Sequence, residues 1–374
     1  MDFTLLISEL TAGIRAFGWQ NLIMLVVGCI LIFLAIAKEY EPTLLLPIGF
    51  GCILANLGMG AESGFMKVIY DAGITTELFP LLIFVGVGAM IDFRPLLAMP
   101  KMVLLGAAGQ FGIYATLLLA TLLGYNLKEA ASIGVIGAID GPTAIFVASK
   151  LAPEMLGAIA VAAYSYMSLI PIIQPPIMRL MTTRKERMIR MEYSPRPVSR
   201  IAVVVFPIVV TIAVSLIAPS AAPLIATLML GNLLKECGVV DRLDKAAQNE
   251  IINIATLFLG LAIGATMSGT NFINIKTLGV LVLGLLAFII DTVAGLSFGK
   301  LWNLFSPHNK INPLIGACGI SAFPMAGRIS AKMALEEDYD NFILMHAMGS
   351  NTSGQLGSVI AGGLLLALVA GVLH

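Results

Sequence analysis

ASIGVIGAIDGPTAIFVAS, residues 131–149, is an apolar stretch of membrane-spanning length that cannot run as one regular helix. Pro142 lacks a backbone donor and disfavours helical geometry at Gly141, so the chain must break within Gly137-Ala138-Ile139-Asp140-Gly141-Pro142-Thr143. The break falls at mid-depth and frees main-chain carbonyls beside a carboxylate. An ionisable group there costs about 2.5 to 3.5 kcal/mol on insertion scales and marks an ion or substrate path. Carboxylate and carbonyl oxygens together suit a hard cation such as Na+. Asp140 is therefore the first candidate residue.

The rest of the chain agrees with a membrane setting. Of 374 residues, 58% are hydrophobic and only 12% charged, and mean hydropathy is +0.95. Soluble domains carry about 25% charged residues. Apolar runs recur at about 21–37, 43–59, 79–92, 102–124, 131–149, 157–181, 200–218, 221–234, 251–268, 277–298, 312–330 and 343–373. Several are too short or too rich in Gly and Pro to be plain spans. The reading is an all-α polytopic membrane protein with about ten to eleven transmembrane segments. The 22 basic and 22 acidic residues cancel, which gives no reason to expect a nucleic-acid partner.

The start of the chain has no basic region ahead of an apolar stretch and does not read as a signal peptide. Phe3, Leu6, Ile7, Leu10, Ile14 and Phe17 recur at helical spacing, which predicts an amphipathic interfacial helix before the first crossing. Cys29, Cys52, Cys237 and Cys318 have no metal or disulfide spacing and read as small core residues.

Arg179, Arg184, Lys185, Arg187, Arg190, Arg196 and Arg200 crowd one polar loop. The positive-inside rule places that loop in the cytoplasm, where it could also dock an acidic soluble partner. Asp291 is the other acid well inside an apolar run, but Ile289-Ile290-Asp291-Thr292 contains no breaker. A hydrogen-bonded packing role suits it as well as transport does, and it stays outside the expected site.

The chain also repeats itself. Pro47, Asn56, Leu57, Gly88 and Ala89 recur 176 residues later as Pro223, Asn232, Leu233, Gly264 and Ala265. At an offset of 182, Ile133, Gly134, Gly137, Pro142, Ala144 and Lys150 match Ile315, Gly316, Gly319, Pro324, Ala326 and Lys332. The expected organisation is an N-terminal segment over 1–40, a first repeat over 41–181, the basic loop over 182–200, and a linking helix with a second repeat over 201–374. An odd number of crossings per unit would invert the second repeat. Paired broken helices, at 131–149 and 312–330, would then meet at mid-membrane, as in alternating-access carriers.

The second break offers Asn312 and Ser321 as neutral oxygen donors, glycines for close approach, and Arg328 as a fixed cation. An Arg near the membrane interior needs an anion, and a carboxylate suits its planar fork; the alternative is that Arg328 snorkels to the surface, with Lys332 one turn later. Gly349-Ser350-Asn351-Thr352-Ser353-Gly354-Gln355 interrupts a further apolar run and could add ligands.

At these residues the sequence resembles a known family. GAIDGPTAIF (137–146), YSYMSLIPIIQPPIMR (164–179), NPLIGACGISAFPMAGR (312–328) and MGSNTSGQ (348–355) are similar to the β subunits of the biotin-dependent, sodium-pumping decarboxylases that act on oxaloacetate, methylmalonyl-CoA, glutaconyl-CoA or malonate. The resemblance implies a membrane subunit that decarboxylates carboxybiotin, exports Na+ and consumes a proton. It implies three partners: a biotin carrier protein, a soluble carboxyltransferase α subunit and a small membrane subunit. It further implies a trimeric homo-oligomer in a bacterial inner membrane.

By the same resemblance Asp140, Asn312 and Ser321 would serve Na+. Arg328, Gly316 and Asn351 would serve carboxybiotin, and Arg328, Tyr166 and Asp140 would carry the chemistry. Ala331-Lys332-Met333 sits at a helix end rather than in a soluble hairpin domain, so biotin is not expected on this chain. The compact length favours the CoA-ester enzymes over oxaloacetate. The alternative function is a stand-alone Na+-coupled carboxylate carrier or Na+/H+ antiporter, which would use the same repeat and the same Asp140.

Overall fold

The computed structural model describes residues 17–62, 64–192 and 197–372. The amphipathic helix expected over 3–17 falls, apart from Phe17, outside the described residues, as does Arg196. Thirteen helices carry the architecture: α1 (Trp19–Ala37), α2 (Pro42–Asn56), α3 (Leu78–Met90), α4 (Phe111–Leu122), α5 (Leu127–Gly134), α6 (Gly141–Leu151), α7 (Leu156–Met181), α8 (Arg200–Ile217), α9 (Ala222–Cys237), α10 (Ile252–Ala265), α11 (Ile275–Phe305), α12 (Met325–Glu337) and α13 (Leu344–Val372). No strand occurs among the described residues. In a hydrocarbon core each backbone polar group must be satisfied within the protein, and helices do most of this locally.

Seven helical segments are long and apolar enough to cross a membrane, or eight if the pair Gly64–Thr75 and Leu78–Met90, bent by 57°, is one span. The remaining apolar runs became shorter or interrupted helices. Glycine and proline are the cause: α2 is only 15 residues long, and residues 127–151 and 313–337 each divide into two pieces.

α2 packs on α10, and α3 packs on α9. Small residues set the closeness. A Cβ on Gly264 would strike the Ile48 carbonyl, and one on Gly88 the Leu228 carbonyl. Asn56 Nδ2 donates to the Met267 carbonyl at 2.8 Å, and Asn232 Nδ2 to the Ile91 carbonyl at 3.2 Å. Each member of the first bond lies 176 residues from its counterpart in the second, Asn56 from Asn232 and Ile91 from Met267. The two contacts exchange under the offset found in the sequence.

The second offset has its own pair. A Cβ on Gly134 would meet the Ile113 carbonyl, and one on Gly316 the Gly295 carbonyl, residues 182 apart in both cases. Nearly all the buried apolar side chains form one continuous core through both halves.

The basic loop folds back on the end of α12. Arg179 pairs with Glu336 (3.1 Å), Arg184 and Arg187 with Glu337 (3.2 and 2.5 Å), and Arg190 with Asp338 (2.6 Å). Lys300 reaches Glu186 at 3.2 Å. Much of the charge that could have met an acidic partner is thus neutralised within the chain. Ion pairing holds the Glu337 and Asp338 carboxyls below the usual carboxylate range, through hydrogen bonds from Arg187 and Arg190 respectively.

Candidate functional site

The two breaks touch. The Ser321 main-chain N–H donates to the Ala138 carbonyl at 3.2 Å, joining the tip of the first interrupted segment to the tip of the second. The first tip is a 3-10 turn, Val135–Ala138, followed by Ile139 at φ 52°. A β-branched residue in the left-handed region costs on the order of 1–3 kcal/mol and persists only where the surroundings impose it.

That turn delivers Asp140 to the N-cap of α6. Its Oδ1 accepts from the Thr143 N–H at 3.3 Å, and its Oδ2 from Gln355 Nε2 at 3.0 Å and Ser358 Oγ at 2.7 Å. The carboxylate is 4% exposed and is surrounded by neutral donors, with no cationic partner among the described residues. The positive end of the α6 dipole lies at the same place and favours negative charge there. Gly141 follows because the Tyr164 ring occupies the space that a Cβ would need.

Ser321 and Asn351 converge on the second tip. Ser321 Oγ donates to the Gly354 carbonyl at 3.2 Å, while Asn351 Nδ2 donates to the carbonyls of Cys318 (3.3 Å) and Ile320 (2.7 Å). Arg328 projects from the first turn of α12, exposed, and its guanidinium makes no hydrogen bond or ion pair among the described residues. Beside it lies a small apolar cluster in which Ile139 of the first tip meets Ile170, Phe288, Ile320, Ala322 and Ala326.

The other expected residues sit elsewhere. Asn312 Nδ2 donates to the carbonyls of Arg187 (2.7 Å) and Ile189 (3.1 Å), and its Oδ1 accepts from the Leu314 N–H, so its side chain fastens the basic loop. Gly316 permits the contact with Gly295. Tyr166 donates its hydroxyl to the Leu281 carbonyl of α11 and packs over Gly284; the tyrosine against the Asp140 turn is Tyr164. Asp291, 1% exposed, accepts from the Gly112 N–H in the first turn of α4, where it acts as a helix cap.

Sequence reasoning missed Ser358. The available signal was its place three residues after Gln355, on the same face of α13.

The Na+-transporting oxaloacetate decarboxylase beta subunit family matches residues 20–369. The chain is 53% identical to the glutaconyl-CoA decarboxylase subunit beta of Acidaminococcus fermentans, over 96% of each protein. It is also 53% identical to the methylmalonyl-CoA decarboxylase subunit beta of Veillonella parvula, over 96% of each. The oxaloacetate decarboxylase beta chain of Klebsiella pneumoniae is 46% identical, over 96% of this chain and 97% of that one. The match is continuous through both interrupted segments and the residues gathered at their junction, and the chain belongs to the Na+-transporting oxaloacetate decarboxylase beta subunit family, as a multi-pass membrane decarboxylase subunit that transports sodium.

Proposed function

We propose that this subunit decarboxylates carboxybiotin presented by a partner carrier and couples that step to Na+ export with uptake of a proton. The observation that carries the reading is the Ala138–Ser321 junction, with buried Asp140 on one side and, on the other, Arg328, which has no ion-pair partner among the described residues. Arg328 binds the carboxylate of carboxybiotin, and Asp140 and Ser321 serve Na+, with Asn351 fixing the second tip. The N-terminus of α12 adds a positive dipole near the substrate carboxylate.

Decarboxylation follows when the ring nitrogen of the substrate gains a proton while Arg328 holds the carboxylate. A proton and Na+ compete for the Asp140 carboxylate because each neutralises the same charge. Outward movement of a unit charge against 100 mV costs about 2.3 kcal/mol, within reach of an exergonic decarboxylation. The repeats are inverted, the basic loop faces the cytoplasm of a bacterial inner membrane, and the chain works as a trimer with a biotin carrier, a carboxyltransferase α subunit and a small membrane subunit. Asn312 acts at one remove, by fastening the loop.

The parent substrate is a CoA ester. The 53% relatives align over 363 and 360 residues, whereas the oxaloacetate relative aligns over 421, which means that it carries segments this compact chain lacks.

The test is CO2 release from free carboxybiotin by the purified complex, with and without Na+, alongside Asp140→Asn. Na+-stimulated release that disappears in the variant is expected. Release that stays Na+-dependent in the variant would sink the assignment of Asp140, and no release by the intact complex would favour a stand-alone carrier.

A further inference from the structure

Gln110 is a buried amide that this mechanism does not use. It stands at the break between the helical turn Val103–Ala108 and α4, and is 5% exposed. Its Nε2 lies 3.1 Å from the Gly106 carbonyl, 3.0 Å from that of Gly319 and 3.3 Å from that of Gly354. Three acceptors around the nitrogen fix the amide orientation. The opposite atom, Oε1, is buried and accepts no hydrogen bond among the described residues.

Asn351 shows the same pattern from α13. Its Nδ2 is spent on the Cys318 and Ile320 carbonyls, and its Oδ1 is buried without a donor among the described residues. Two amides from two different spans thus hold three consecutive carbonyls, Cys318 to Ile320, and each keeps one bare oxygen. Leaving a buried acceptor without a donor costs about 1–3 kcal/mol, and two at one break call for an electropositive occupant. Helix interruptions of this kind expose neutral oxygens that coordinate a hard monovalent cation.

We propose that Gln110 is a ligand and positioning residue for the transported cation: its Oε1, with Asn351 Oδ1, coordinates the ion at the second break, while its Nε2 holds the Gly319 and Gly354 carbonyls. The inference rests on the Na+-coupled decarboxylation proposed above. It extends the site to the span Pro100–Leu122, which contains none of the motifs singled out in the sequence.

The experiment uses the full complex with its partner subunits and two variants. Gln110→Met keeps the length of the side chain without either amide function; Gln110→Glu keeps an acceptor oxygen and adds charge. Na+ is titrated against CO2 release from carboxybiotin, and Na+ binding is measured in parallel by calorimetry. Gln110→Met is expected to raise the half-saturating Na+ concentration roughly 10- to 100-fold in both readouts. Gln110→Glu is expected to change the Li+ to Na+ preference.

An assembled Gln110→Met complex with the wild-type half-saturation overturns the inference. If that variant does not assemble, an unchanged Na+ half-saturation and ion preference in Gln110→Glu overturns it. Failure of the wild-type complex to release CO2 overturns the functional reading instead, and the calorimetric comparison still decides the role of Gln110.

Discussion

Ser358 Oγ lies 2.7 Å from Asp140 Oδ2, a closer approach than either of the carboxylate's other two donors, and the two residues are 218 positions apart. α13 therefore sets where the charge sits. Ser358→Ala should weaken Na+ half-saturation of decarboxylation roughly tenfold, the usual effect of losing a hydrogen bond that orients a ligand. Asp140→Asn should abolish the Na+ response altogether. Equal Na+ titrations for Ser358→Ala and the parent would show that Ser358 does not support the carboxylate.

Asn56→Ala should destabilise the protein more than Asn232→Ala. Asn56 donates to two carbonyls and its Oδ1 also accepts from the Gly269 N–H at 2.9 Å, whereas Asn232 Oδ1 has no donor among the described residues. Each broken buried bond costs about 1–3 kcal/mol. Thermal unfolding in detergent reads the order directly, and the reverse order would contradict the hydrogen-bond assignment.

Gly316→Ala should act through packing. The added methyl meets the backbone of Gly295, which has no side chain to move aside, and overpacking costs typically about 1–3 kcal/mol. Gly295→Ala should have a matching effect, because its Cβ would meet the Gly316 carbonyl. If Gly316→Ala changed carboxybiotin affinity while melting normally, Gly316 would be a ligand-contact residue instead.

The loop contact should open in acid. Glu337 and Asp338 have folded-state pKa values below their ordinary ones, so their contribution is complete above the ordinary carboxylate range and is lost as pH falls through the lowered folded values. Protease cleavage within 182–192 should accelerate on acidification below about pH 4. Asp338→Asn should show faster cleavage already at neutral pH, with less further change; a cleavage rate identical to the parent at pH 7 would remove Asp338 from the contact.

Asp291→Asn should be tolerated far better than Asp291→Ala. Asparagine keeps an acceptor for the Gly112 N–H, and alanine leaves that donor buried and bare. Na+ half-saturation should be unchanged in Asp291→Asn. A shift there would make Asp291 part of the ion path.

How far the sequence carried depends on the kind of residue. Pro142 and Pro324 break helices by covalent geometry, so both interruptions and the place of Asp140 could be read from the chain alone. The offset of 176 was legible because close approach admits glycine, and the Asn56 and Asn232 contacts follow it. The reach of Gln110, Ser358 and Tyr164 to the two breaks was not legible. They come from distant spans, and only packing decides which face of a helix meets which break. The loop contact of Asn312 was hidden for a related reason: an Asn beside a proline suits an oxygen-ligand role and a loop fastening equally well, and the partner lay some 120 residues earlier.

The exchanged bonds of Asn56 and Asn232 also bear on ancestry. What α2 offers to α10, α9 offers to α3, so two identical half-length chains could satisfy both contacts with one set of residues, in the manner of an isologous dimer. In one polypeptide each copy is free to differ from the other. At the offset of 182, Asp140 corresponds to Ala322 and Arg328 to Phe146. The scaffold is symmetric and the tips are not: one half carries a carboxylate and the other a guanidinium.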